Sequence, residues 1–565
     1  MTALLTDNLP LLAGAPNGIK KLRELILELA VRGKLLPQDP SDEPASELLK
    51  RIAEEKARLV AEGKIKKQKP LAEIAKEETP FVIPTHWEWV RLDSLLKKIG
   101  AGSTPLGGKQ AYVADGVKFL RSQNVWNEGL RLNDVAFIPE ATHQKMSGTH
   151  VEAGDLLFNI TGASIGRCAT VPSDFDTGNV SQHVTIIRPV SSDTQPFLHV
   201  VLVSQLVQQT VMDVQVGVSR EGLSIGKLAQ FLIPFPPLAE QHRIVAKVDE
   251  LMALCDRLEA QQADAEIAHT QLVQALLDSL TQASDAEDFS QNWQRLAEHF
   301  HTLFTTESSI DALKQTLLQL AVMGKLVPQD PSDEPASELL KRIAEEKARL
   351  VAEGKIKKQK PLAKISDDEK PFVLPTGWVW TRLGDISLTQ TGTTPSKSQP
   401  ELFGSDVPFI KPGDIYPNKI DYSGEGLSSL GASQGGRIAQ AGSLLMVCIG
   451  TIGKCNLIER DCSFNQQINS ATLYKGLPQY LRFAARSAYF QAKAWSESSS
   501  TTIAILNKGK WEAIPLPLPG LTEQHRIVAK LDQLMTLCDQ LKTRLTQARQ
   551  LHEQLASTLV QQAVA

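Results

Sequence analysis

The stretch PQDPSDEPASELLKRIAEEKARLVAEGKIKKQKPLA occupies Pro37 to Ala72 and returns without a changed letter at Pro328 to Ala363. Two equal copies imply two equal jobs, and the flanking text repeats more faintly at an offset near 290 residues. ELAVRGKLLPQDP from Glu28 comes back as QLAVMGKLVPQDP, and PTHWEWVRL from Pro84 as PTGWVWTRL from Pro375. AEQHRIVAKVDELMALCDRL from Ala239 comes back as TEQHRIVAKLDQLMTLCDQL from Thr522. The chain is therefore two halves, each in the order helices, variable domain, helix. Between these landmarks, Gly100 to Pro237 and Asp385 to Gly520 share little beyond GSTP/GTTP, IGRC/IGKC near Ile165 and Ile452, and IPFP/LPLP at Ile233 and Leu516.

The copied segment reads as a helix. Ser46 is the expected N-cap, Leu48, Leu49, Ile52, Leu59 and Val60 recur at helical spacing, and Glu47/Arg51 and Glu54/Arg58 are i,i+4 pairs. Asp39, Asp42, Glu43 and Glu47 gather near its start and Lys64, Lys66, Lys67 and Lys69 near its end, as the helix dipole favours. KIKKQK thus reads either as a solvated helix tail or as a contact for a nucleic-acid backbone. The second repeated helix carries a heptad seam: Val248, Leu251, Cys255 and Leu258, then, past Gln262, Ala265, His269, Leu272 and Leu276. Its counterpart has Ile527, Leu531, Leu534, Cys538, Leu541, Leu545, Ala548, His552, Leu555 and Leu559, so the two helices are expected to pack on each other as a coiled coil. His269 and His552 sit at matched positions, either fixing the register or facing water.

The variable segments read as mixed α/β. VTIIRPV (Val184 to Val190) and SLLMVCIG (Ser443 to Gly450) are expected strands, and the stretches from Phe197 and from Tyr480 are expected helices. A chain of 565 residues is too long for one core, and 42% hydrophobic with 22% charged residues is ordinary globular composition. No apolar run approaches a membrane span, and MTALLTDNLPLLAG lacks a basic segment before its leucines, so a cytoplasmic protein is expected. The six cysteines form no CxxC pair; Cys448, Cys455 and Cys462 read as core packing rather than a metal site, and no metal is expected. A net charge of −4 runs against a nucleic-acid partner.

Reactive motifs are missing. GLSIGKL at Gly222 falls one residue short of a phosphate loop and lacks the Ser/Thr after its lysine. GASIG at Gly162 has the letters of a nucleophile elbow, but its counterpart, IGTIG at Ile449, loses both the first glycine and the serine. The EEK triplets at Glu54 and Glu345 lie in a charged helix, and no Asn/Asp-Pro-Pro-aromatic tetrapeptide, which an adenine methyltransferase needs to hold a flipped base, is present. A non-catalytic chain is expected.

A strand with two tryptophans (Trp87/Trp89, Trp378/Trp380), a GSTP or GTTP turn, a variable region closing on I-P-x-P or L-P-x-P, and EQHRIVAK opening a long helix, all given twice, resembles the specificity subunit of type I restriction-modification enzymes. The copied helix is similar to that of the larger-repeat branch, and only Asn17 to Pro37 and the insert from Gln282 to Ser308 fit loosely. The resemblance implies an α/β (α+β) multidomain chain with an internal pseudo-twofold repeat: two mixed α/β target recognition domains joined by long helices packed as a coiled coil. The expected layout is a helical region (1-83), a first recognition domain (84-237), a central helical region (238-374), a second recognition domain (375-520) and a last helix (521-565). It implies a non-catalytic subunit that reads a bipartite, asymmetric site on double-stranded DNA. It further implies two methyltransferase subunits and restriction (motor and nuclease) subunits as partners, with S-adenosylmethionine, ATP and Mg held by them and no cofactor on this chain. A helical scaffold carrying two cargo domains is the alternative reading.

Readers of DNA need cations for phosphates and amides or guanidinium groups for base edges. Candidates are Arg121, Gln123, Asn124, Gln182, Arg220 and Lys227 in the first reader and Lys411, Asp414, Gln466, Asn507, Lys508 and Lys510 in the second. Lys97 to Phe235 carries eleven basic and eleven acidic residues, and Asp385 to Pro519 twelve against ten, so much of the phosphate contact is expected from partners.

Overall fold

The structure is a computed structural model that describes residues 11–66, 71–216, 222–499 and 503–564. Lys67, Lys69, Arg220 and the stretch MTALLTDNLP lie outside these residues. The chain folds as two compact units, 1–264 with 549–565, and 265–548. Six helices form the scaffold: α1 (Gly18–Val31), α2 (Ala45–Ala61), α3 (Leu238–Thr281), α4 (Glu307–Val322), α5 (Ala336–Ala352) and α6 (Leu521–Val564).

In the first unit, Leu22, Leu25, Ile26 and Leu29 of α1 share a core with Val248 and Cys255 of α3 and with Ala556 and Ala563 of α6. Ion pairs fix the directions: Arg23 reaches Asp256 at 2.7 Å and Glu259 at 2.9 Å, and Gln262 donates to the Ala13 carbonyl at 2.8 Å. Lys21 donates to Ser557 at 2.9 Å, and Lys34 donates to the Val564 carbonyl at 2.8 Å. Helix α3 thus runs against α1 and the end of α6 runs with it. The second unit repeats the device with the long helices exchanged: Lys314 pairs with Asp539, Lys542 with Asp311 at 3.1 Å, and Lys325 donates to the Thr281 carbonyl at 2.8 Å.

Two sequence expectations are corrected here. Matched seam positions do not face each other, because the long helices run antiparallel within each unit. Leu251, Cys255, Leu258 and His552 belong to the first unit, and Leu534, Cys538, Leu541 and His269 to the second. The seam also changes register beyond Gln262: Leu272 is 52% and Leu555 47% exposed, while Val273, Leu277 and Ala556 are buried. From Cys255 to Val273, and from Cys538 to Ala556, the step is eighteen residues, five turns of a straight helix at 3.6 residues per turn. A strict heptad drifts ~20° per repeat from such a helix, so the buried stripe follows the backbone rather than the heptad.

The copied helices also begin and end elsewhere than expected. Each starts at alanine behind a proline, with Ser46 inside the first turn rather than capping it. The Ala45 and Ala336 N–H groups instead donate to the His86 and Gly377 carbonyls at 3.0 and 2.8 Å. Arg51 pairs with Glu43, and Arg58 with Glu55 and Glu62, in place of the i,i+4 pairs Glu47/Arg51 and Glu54/Arg58. Gly63 and Gly354 turn the chain at φ +70° and +69°, so KIKKQK of the second copy follows the helix rather than forming its tail.

The three repeated landmarks meet in a buried joint. Trp87 Nε1 donates to Glu240 at 2.9 Å and Gln38 donates to the same carboxylate at 2.7 Å; Trp378 and Gln329 treat Glu523 alike at 2.8 Å each. Burial pushes both glutamates above the ordinary carboxylate range. The folded joint therefore holds its protons more tightly than the unfolded chain, and its stability falls as pH rises through the range above ~4.5. Glu523→Ala orphans two donors and is expected to cost ~2–4 kcal/mol. Glu523→Gln is expected to gain on the native protein as pH rises, which urea unfolding midpoints between about pH 4.5 and 7 measure.

The first reader contains β1 (Glu88–Arg91), β2 (Leu96–Ala101), β3 (Val117–Leu120), β4 (Val125–Trp126), β5 (Gly129–Leu130), β6 (Ala136–Ile138), β7 (His150–Val151), β8 (Leu156–Asn159), β9 (Cys168–Thr170), β10 (Gly178–Val180), β11 (Val184–Pro189) and β12 (Leu232–Phe235). The second contains β13 (Val379–Arg382), β14 (Ser387–Thr391), β15 (Phe403–Ile410), β16 (Gly426–Leu427), β17 (Ile438–Ala439), β18 (Leu444–Val447), β19 (Cys455–Leu457), β20 (Cys462–Phe464), β21 (Ile468–Leu473) and β22 (Pro515–Leu518). Sheet orders β2-β11-β8-β9 and β6-β3-β10-β7 recur as β14-β21-β18-β19 and β16-β15-β20-β17, and the clasp β1-β12 recurs as β13-β22. The β3–β10 and β15–β20 pairs are parallel. Leu120, Leu157, Val180 and Ile186 fill the space between the first pair of sheets, and Ile410, Leu445, Phe464 and Ile468 the second. The expected helices after Phe197 and Tyr480 each break, at Ser204 and Ser487. Among the described residues no single helix is long and apolar enough to cross a membrane. Cys448 and Cys455 lie in one core and Cys462 in another, and burial pushes the Cys448 and Cys462 thiols up to about 12. The insert forms helices Ala286–Glu298 and Phe300–Leu303, whose Phe289, Leu296 and Leu303 join the core of the second unit.

Candidate nucleic-acid interface

In the first reader β2, β3, β8 and β10 end, and β9 and β11 begin, along one edge. Its loops are tied into a row there: Ser103 N–H donates to Val180, Ser181 N–H to Leu120, Ile160 N–H to His183 and Leu223 N–H to Ile160, at 2.8–3.1 Å. Buried Asn159 donates to the Ser122 carbonyl at 2.9 Å and to Ser164 at 3.1 Å, joining the remaining loops. The second reader builds the same edge: Thr393 N–H donates to Phe464, Asn465 N–H to Ile410, Cys448 N–H to Gln467 and Leu506 N–H to Cys448, at 2.7–3.1 Å. A Cβ on Gly102 would stand 2.0 Å from the Val180 carbonyl oxygen, and one on Gly392 2.1 Å from that of Asn465. The glycines of GSTP and GTTP are thus required by backbone approach.

Most of the candidate residues lie on these edges, but several are already engaged. Asn124 is buried, accepting from the Arg121 N–H and donating to the Arg131 carbonyl at 2.9 Å each, so it holds its loop rather than facing a ligand. Asp414 does the same for the Lys411 N–H at 2.8 Å. Arg121 donates to the Asp134 carbonyl at 2.7 Å with the Asp134 carboxylate 3.7 Å away, and Gln123 donates to that carboxylate. Lys411 pairs with Glu425 at 2.6 Å and Lys508 with Glu512 at 2.9 Å. Asn507 caps the helix Lys508–Glu512 through the Lys510 N–H, and Lys510 Nζ donates to the Glu497 carbonyl, at 2.9 Å each. Gln182 and Lys227 are exposed, Gln466 is exposed and accepts from Thr394, and Arg220 lies outside the described residues.

The structure adds residues that the sequence reading passed over. The Arg131 and Arg167 guanidinium groups stand 3.6 and 3.7 Å from the Trp126 ring centre, and the Lys419 and Lys454 ammonium groups 5.8 and 5.4 Å from that of Tyr416. Among the described residues none of these four cations has a carboxylate within 4 Å; Lys419 acts on Asp421 from further off, and Lys454 Nζ donates to the Pro412 carbonyl at 2.8 Å. The signal was present as IGRC/IGKC, whose third letters are Arg167 and Lys454. Residues 84–269 and 375–548 match the family model for the type I restriction modification DNA specificity domain. The chain belongs to this family. As a specificity subunit it is similar to the type I restriction enzyme EcoAI specificity subunit of Escherichia coli, 39% identical over 97% of this chain and 94% of that protein. It is equally similar, at 39% identity and the same coverage, to the EcoEI specificity subunit of Escherichia coli. In fold the subunit is similar to a chain from a solved structure on complex assembly and conformational transition of the type I R-M system, with TM-score 0.51, 19% identity, and coverage of 86% of this chain and 99% of that one.

Proposed function

We propose that each loop edge reads one half of a split, asymmetric site on double-stranded DNA, and that the subunit directs adenine methylation and restriction carried out by partner subunits in the cytoplasm. The observation that carries this reading is the repetition of both sheet orders, loop ties and buried joint under loops of different sequence. Identical handles suit two identical methyltransferase subunits, as a twofold assembly demands, while unlike loops suit unlike half-sites. Restriction subunits complete the complex. S-adenosylmethionine, ATP and Mg belong to those partners, and the near-neutral readers leave much of the phosphate contact to them. Methylome mapping in cells carrying this chain with its methyltransferase partner is expected to show one new split adenine-methylated motif; the absence of any new motif refutes the reading.

A further inference from the structure

We infer that Trp126 with Arg131 and Arg167, and Tyr416 with Lys419 and Lys454, are matched clamps for the DNA phosphodiester backbone; the inference rests on the recognition role proposed above. Both aromatics follow their loop staple by two residues, Asn124 to Trp126 and Asp414 to Tyr416. Both clusters draw one cation from the third letter of IGRC or IGKC, just before β9 or β19 and beside the same edge.

The glycine of that motif explains how the cation is aimed. Gly166 and Gly453 take φ +88° and +95°, and Gln208 and Gln491, on the helices behind, donate to their carbonyls at 2.9 and 3.0 Å. The left-handed φ favours glycine there, and a Cβ would also stand 2.3 and 1.8 Å from the glutamine oxygens and push those side chains aside. Each ring then holds two cations by cation–π attraction. Among the described residues no ion pair within 4 Å neutralises these cations, so a phosphate adds a charge partner that the fold does not place there, although Lys454 Nζ donates to the Pro412 carbonyl at 2.8 Å. Lys411, Arg121 and Lys508, by contrast, already have carboxylates beside them.

The substitutions between the two clusters identify the ligand. Arg167 is exchanged for Lys454 and Trp126 for Tyr416, which preserves charge and ring but not the fork geometry that reads a base edge, while the second cation comes from different loop positions, Arg131 seven residues past its staple and Lys419 five. What two readers of different sequences keep in common in this way is the part of DNA that does not vary, its phosphates.

The test is DNA binding by the full chain assembled with its methyltransferase partner, titrated against salt, for the native protein and the double variant Arg167→Gln, Lys454→Gln. Each lost phosphate contact lowers the slope of log K against log salt by ~0.9, so a fall of ~2 and ~10-fold weaker binding are expected, with the methylated letters unchanged. Arg167→Lys with Lys454→Arg is expected to keep the native slope, which separates lost charge from lost folding. An unchanged slope in the glutamine variant, or altered letters in either half-site, overturns the clamp. If the native complex itself prefers no split site over random duplex, the recognition reading fails and the clamp falls with it.

Discussion

Exchanging residues 385–514 for the matching segment of another specificity subunit is expected to rewrite one methylated half-site and leave the other half untouched. The exchange removes β14 to β21 and the second loop edge whole, while the clasp β13-β22 and the Trp378–Glu523 joint stay native. The core between the two sheets of this reader, from Ile410 to Ile468, travels with the segment. Several contacts cross the cut and the donor segment must supply them, among them Leu383 N–H to the Ile514 carbonyl at 3.2 Å, Tyr489 N–H to Gln319 of α4 at 3.0 Å, Leu477 N–H to Gln524 at 3.0 Å and the Tyr480 hydroxyl to the Pro517 carbonyl at 2.8 Å. Each altered base pair is worth ~1–3 kcal/mol, so a half-site of three or more new letters shifts preference by ~10³-fold or beyond. Methylome sequencing of the exchange strain decides the matter: both halves changing together, or neither, contradicts independent readers.

Leu534→Asp is expected to cost ~4 kcal/mol or more and to abolish efficient methylation, whereas Leu272→Asp is expected to change stability by under ~0.5 kcal/mol. Leu534 is 4% exposed and shares a core with Leu313, Leu317, Leu531 and Cys538; deleting the leucine leaves a cavity, and the substitution sets a carboxylate among apolar side chains. Leu272 is 52% exposed, although the heptad places it on the same seam. Urea unfolding and limited proteolysis of the two variants compare them directly. Equal damage would restore the heptad register and refute the straight-helix stripe.

The two halves, the mixed α/β readers, the copied helix and the long helices were all legible in the sequence, because each is encoded by periodicity and repetition within a few turns of chain. VTIIRPV is β11 up to Pro189 and SLLMVCIG contains β18, since strand alternation and β-branched runs are local properties. The loop edges were legible only in part. Gln182 and Gln466 could be placed by their neighbours, but Lys411, Arg121 and Lys508 could not be told from free cations, because their partners are chosen by folding. Arg167 reaches Trp126 across 41 positions, and Trp87 reaches Glu240 across 153. Helix direction was equally hidden: a heptad says which face is apolar and nothing of what runs beside it, so only the tertiary structure shows that the first half of α3 packs with the last turns of α6. Sequence by itself determined what repeats. Tertiary structure decided which charges remain unpaired, because neutralisation depends on distance in space, and distance along the chain does not report it.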